Sequence, residues 1–179
     1  MRRALVGSLL VGTSVSLAAQ QPGAALAQPA LQPLAFLVGS CWSGTQPKGT
    51  VDTHCFSPVY GGHYIRDVHE VAGAPKPYAG ETLYHWDASQ KQVRFTYYNS
   101  IGGVSVGSMQ VEDGRLVFPE SYDSKDGKRI EMRSVWTREG ADTFVAKTDV
   151  KTGESWKEQF RVVFKRRTDL RQPAEPAIR

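Results

Sequence analysis

Glu81-Thr82-Leu83-Tyr84-His85-Trp86-Asp87-Ala88-Ser89-Gln90-Lys91-Gln92-Val93-Arg94-Phe95-Thr96-Tyr97 is two strand-like runs around a polar loop. A four-residue loop from Ala88 to Lys91 pairs Trp86 with Val93, Tyr84 with Phe95 and Thr82 with Tyr97, while Glu81, His85 and Arg94 fall on the other side. Because side chains alternate across a strand, the hairpin is apolar on one face and polar on the other. A sheet made of such hairpins must bury one side.

The same reading extends in both directions. Asp113-Gly114 suits a two-residue type I′ turn, which sets Val111 opposite Leu116 and Met109 opposite Phe118. Around Gly140 a three-residue loop pairs Trp136 with Phe144 and Ser134 with Ala146, and a turn at Gly153 carries the apolar face on to Trp156 and Phe160. Between Ser40 and Lys165 no window keeps a 3.6-residue apolar spacing; the chain reads as strands 40–46, 51–57, 62–72, 79–87, 92–99, 103–112, 115–120, 128–138, 142–150 and 154–165. Only Pro33 to Val38 suggests a helical turn. The fold class expected is all-β. Sequential hairpins favour closure into an up-and-down antiparallel barrel of about ten strands over a sandwich, and no repeat of propeller-blade length is present.

Met1-Arg2-Arg3, an apolar stretch from Ala4 to Ala19 and small residues at Ala25-Leu26-Ala27 form the three parts of a secretory signal peptide, so residues 1–27 are expected to be cleaved near Ala27 and the mature protein to be periplasmic or secreted in a bacterium. The stretch is too short and too rich in Gly, Ser and Thr to be read as a membrane span. Residues 28–39 then form a lead-in, 40–165 a single barrel domain and 166–179 a disordered basic tail. The net charge of +4 sits at the two ends, and residues 28–164 hold 15 Lys and Arg against 16 Asp and Glu. A near-neutral body argues against a nucleic-acid partner. Cys41 and Cys55 are the two cysteines, and the turn signal Gln46-Pro47-Lys48-Gly49-Thr50 between them places Cys41 opposite Cys55 if Lys48 is the tip. In an oxidising compartment that register favours a cross-strand disulfide over two free thiols.

The start of the expected barrel, Leu34-Ala35-Phe36-Leu37-Val38-Gly39-Ser40-Cys41-Trp42-Ser43-Gly44, resembles the entry to the first strand of calycin barrels: lipocalins, fatty-acid-binding proteins and nitrobindin-like proteins, nearest to secreted bacterial members of the last group. It departs from the lipocalin Gly-x-Trp by one residue. The resemblance implies a barrel that closes its last strand on its first around a hydrophobic or planar ligand, and it does not imply an enzyme. Haem-binding members use a histidine near the C-terminal strands; here the last histidine is His85, so the resemblance carries no haem to this chain.

His63, Asp67 and His69 share one face of a strand, but without a tight ligand pair they read as solvated residues on the outer wall, and no metal site or cofactor is expected. No serine sits in a strained Gly-x-Ser-x-Gly turn, so no catalytic residue is assigned. Trp42 reads as a plug at one barrel end, with Arg161, Lys165 or Arg166 stacked on it. The inward set Tyr84, Trp86, Phe95, Tyr97, Met109, Phe118, Met132, Trp136, Phe144, Trp156, Glu158 and Phe160 is either packed core or the lining of a ligand pocket. Glu158 shares the parity of Trp156 and Phe160 and is set opposite Ala146, which makes it a ligand anchor, a general acid or base, or half of a buried ion pair unless a β-bulge turns it to water. Three functions follow: an exported carrier or sensor of a small hydrophobic or aromatic molecule; a barrel enzyme of isomerase or hydratase type using one buried acid; or a solid-cored interaction module. The ligand's identity and the oligomeric state stay open.

Overall fold

The computed structural model describes residues 26–170. A 3₁₀ helix, Pro29–Leu34, leads into ten antiparallel strands: β1 Ser40–Thr45, β2 Val51–Val59, β3 Tyr64–Ala72, β4 Tyr78–Asp87, β5 Gln92–Asn99, β6 Val104–Glu112, β7 Arg115–Asp123, β8 Arg129–Arg138, β9 Thr143–Thr152 and β10 Ser155–Arg167. Each pairs with its sequence neighbour, and β10 pairs with β1, so the sheet closes into a barrel without an edge. The expected signal segment up to residue 25 and the tail from 171 onward lie outside the described residues. Among the described residues no helix is long and apolar enough to cross a membrane.

The turns explain the registers. Tyr84 pairs with Phe95 and Trp86 with Val93 as the opening hairpin requires. Asp113 and Gly114 both take positive φ, 49° and 75°, as a type I′ turn demands, and Val111 faces Leu116. Cys41 faces Cys55 and is bonded to it.

Four expectations are corrected. The helical turn begins earlier than expected, as a 3₁₀ helix at Pro29–Leu34 whose turns run on to Val38, because Pro29 starts it and the Gln28 side chain accepts from the Ala30 N–H. The β8–β9 loop is centred one residue later than expected: Glu139 N–H donates to Thr143 O, so Trp136 faces Ala146 and Ser134 faces Thr148. A shift of two keeps the same residues inward. The third correction concerns β10, where the register slips between Glu158 and Phe160. The extra residue, Gln159, reverses parity: Phe160, Val162 and Phe164 point inward, while Trp156 and Glu158 lie on the outer wall, and Ala146 faces Val162 instead of Glu158. Lastly, Arg166 and Arg167 belong to the strand and not to a tail, since they pair with Trp42 and Cys41.

One barrel end is plugged. Leu31, Leu34, Leu37, Trp42, Phe56 and Ile65 are fully buried there. The Trp42 indole N–H donates to Leu37 O at 3.2 Å, and the Arg166 guanidinium lies 4.3 Å above its ring. Arg166 is fixed in turn by Asp142, Phe36 O and the Ser40 hydroxyl.

Candidate functional site

Above the plug the barrel holds a cavity of about 650 Å³ that opens at the other end, past Gln46, Lys48 and Thr50 of the β1–β2 hairpin and past Tyr78, Tyr122 and Gln159 of other strands. One wall is aromatic. Phe118 and Trp136 lie 4.5 Å apart by ring centroid, Trp136 and Phe144 5.5 Å, and Phe144 stacks on Phe164 at 4.9 Å. Tyr84, Phe95 and Met132 extend this surface. Room for it depends on Gly107, where a Cβ would come within 2.6 Å of the Phe95 ring.

The opposite wall is polar. Asp52 and His54 from β2, Asp67 and His69 from β3, Tyr78 from β4 and Tyr97 from β5 all line the cavity. His54 Nδ1 is 2.9 Å from Asp67 Oδ2, His54 Nε2 is 3.4 Å from Asp52 Oδ1, and His69 Nδ1 is 3.1 Å from the same Asp52 oxygen. His69 Nε2 meets the Tyr97 hydroxyl at 2.9 Å, which meets the Tyr78 hydroxyl at 2.7 Å. Burial pulls the His54 imidazole down, but the flanking carboxylates of Asp67 and Asp52 outweigh it and raise its pKa to about 10. Burial likewise disfavours the Asp52 carboxylate, yet hydrogen bonds from His54 and His69 hold it well below the usual carboxylate range. Burial pushes the Tyr97 and Tyr84 hydroxyls up, so both stay neutral.

This wall overturns the expectation of solvated residues on the outside of β3. Asp67 and His69 point inward and are buried, because the β2–β3 register sets Phe56 against Asp67 and His54 against His69, and Phe56 faces the core. Of the expected inward set, Tyr84, Phe95, Tyr97, Phe118, Met132, Trp136, Phe144 and Phe160 line the cavity. Met109 and Trp86 pack in the core cluster below it. Trp156 and Glu158 are outside, where Arg133 sits 4.9 Å over the Trp156 ring and Glu158 pairs with Arg161 at 3.2 Å. The Gly103-Val104-Ser105-Val106-Gly107 spacing lies along β6, with Ser105 between Tyr97 and Tyr122, and makes no strand-to-helix turn.

Beside Asp52 and Asp67, a further inward acid is Glu120, which follows Leu116 and Phe118 along β7 and accepts from the Ser134 hydroxyl at 3.5 Å. Burial pushes its carboxyl up from the ordinary value. A carboxyl raised in the folded state contributes stability fully present below its unfolded pKa, roughly 4.3, and lost as pH rises through the folded value. Glu120→Gln should therefore raise the thermal midpoint at pH 8 and leave it unchanged at pH 4. An equal shift at both pH values in calorimetry would show that Glu120 is not held against ionisation.

No protein-family model matches the chain, and no curated protein matches it. Among solved structures, the crystal structure of Rv2717c from M. tuberculosis is similar: TM-score 0.55, 16% sequence identity, covering 78% of this chain and 98% of that one. At that identity the likeness speaks for the barrel fold alone.

Proposed function

We propose that this is an exported, calycin-like binding protein, a carrier or sensor that holds a small hydrophobic or aromatic molecule in its barrel. The observation that carries this reading is the cavity of about 650 Å³, well inside the ~300–1,000 Å³ of small-molecule sites, with a continuous aromatic wall and a few convergent polar groups. The Cys41–Cys55 disulfide accords with an oxidising compartment and so supports export. The cavity weighs against a solid-cored module.

Titrating the purified protein with 1-aminoanthracene, a neutral aromatic probe, should give saturable one-to-one binding that quenches tryptophan fluorescence through Trp136. Ala146→Phe places a ring inside the cavity, since Ala146 is an inward residue opposite Val162 and Trp136. It should weaken the probe at least tenfold, about 1.4 kcal/mol, with the far-ultraviolet spectrum unchanged. Unsaturable wild-type binding, or a variant that binds equally well, would overturn the reading. A second reading, isomerase or hydratase chemistry on such a molecule, is favoured by Glu120, a cavity carboxyl raised by burial, taking the part first assigned to Glu158.

A further inference from the structure

We infer that Asp52, His54 and His69 form a binding site for a divalent first-row transition metal, zinc in the first instance, on the polar wall of the cavity. The three offer one carboxylate oxygen and two imidazole nitrogens within 4.8 Å of one another. Asp52 Oδ1 stands 3.4 Å from His54 Nε2 and 3.1 Å from His69 Nδ1. Around a tetrahedral zinc with bonds of ~2.0–2.1 Å, ligand atoms are spaced about 3.3–3.4 Å, so the His54 contact already has the length of a tetrahedron edge and the His69 contact need open only by a few tenths of an ångström.

The atoms behind these three point the same way. Each ligand has its other polar atom engaged by a different side chain. Gln46 Nε2 donates to Asp52 Oδ2 at 3.1 Å, leaving Oδ1 for the metal. Asp67 grips His54 Nδ1 at 2.9 Å, which turns Nε2 toward the cluster. The Tyr97 hydroxyl meets His69 Nε2 at 2.9 Å, which turns Nδ1 the same way. A carboxylate or hydroxyl on the far nitrogen of a ligating histidine is the outer-shell arrangement that fixes tautomer and ring orientation in metal sites. Gly80 leaves room for this Tyr97–His69 contact, because a Cβ there would lie 2.7 Å from His69 Nε2 and against the Tyr97 ring. A mixed set of imidazole and carboxylate suits zinc and its neighbours over calcium or magnesium, which take oxygen ligands.

Three protein ligands leave a fourth position open, and because all three residues line the cavity that position faces its interior. An oxygen or nitrogen of a molecule held there would complete the shell. The metal site itself does not depend on the organic ligand, so the two are tested apart.

Protein purified from expression of the full chain, stripped with a chelator and titrated with Zn²⁺ in a calorimeter, should bind one equivalent with a dissociation constant below about 1 μM, or about −8 kcal/mol. Co²⁺ in its place should give the intense visible bands of a four-coordinate ion. His54→Ala and His69→Ala should each weaken zinc at least tenfold, while His63→Ala and His85→Ala, outside the cavity, should leave it unchanged. Should either cluster variant fail to fold, Asp67→Asn keeps shape and touches no metal; it should lower affinity ~10–100-fold. Wild-type protein that does not saturate near one equivalent overturns the site, as does undiminished affinity in the folded cluster variants or in Asp67→Asn.

Discussion

Trp42→Ala should destabilise the protein by about 4 kcal/mol, since large aromatic truncations in a packed core cost ~3–5 kcal/mol. The indole has no exposed surface and meets Phe36 and Phe144 edge to face at 6.1 and 5.3 Å. Alanine leaves a hole in the plug, strips the Leu37 carbonyl of its donor and leaves the Arg166 guanidinium without the ring beneath it. Domains of this size hold roughly 5–15 kcal/mol in all, so the loss approaches the whole for a domain at the low end. The midpoint should fall by roughly 8–16 °C. Trp42→Phe keeps most of the packing and should cost clearly less. Thermal denaturation followed by circular dichroism reads both, and a Trp42→Ala loss under ~1 kcal/mol would mean that the plug is not the keystone its burial suggests.

Removing the Cys41–Cys55 disulfide should cost about 3 kcal/mol. The bond closes a loop with a sequence separation of 14, for which the chain-entropy relation gives that value at 25 °C. β1 is also the strand that receives β10, so the link stiffens the element on which closure depends. Urea denaturation with and without reductant should show the midpoint falling in reducing buffer. The Cys41→Ser/Cys55→Ser double variant should unfold at the reduced midpoint in both buffers. Coincident curves for the oxidised and reduced wild type would show that the hairpin holds its register without the bond.

Where a turn has strong chemistry, the register was legible. Asp113-Gly114 and the Ala88–Lys91 loop each admit one arrangement, and the strands around them pair accordingly. Alternation alone sets Glu158 inward, because a bulge adds a residue without altering composition and leaves no mark on the pattern. The polar wall was missed for another reason. Once Cys41 is set against Cys55, Trp42 faces His54, so a Trp42 that plugs the barrel carries His54 inward with it. A tight turn at Gly61-Gly62 then sets His54 against His69. The signal was in the register, but histidine and aspartate read one at a time belong in water. They are buried here because each satisfies its neighbour, a property of the group that no single residue displays. Glu120 is open to the same logic, since it continues the inward parity of Leu116 and Phe118 along its strand.

The plug also decides which way the molecule faces. Ala27 N–H bonds to Gly62 O at 3.0 Å, and Arg166 reaches Phe36 O at 3.2 Å, so the described chain enters and leaves at the closed pole. Every hairpin of the mouth lies at the other pole. Held at residue 26 or at residue 170, the two ends of the described chain, the barrel would stand like a cup on its base, its opening turned away from the attachment.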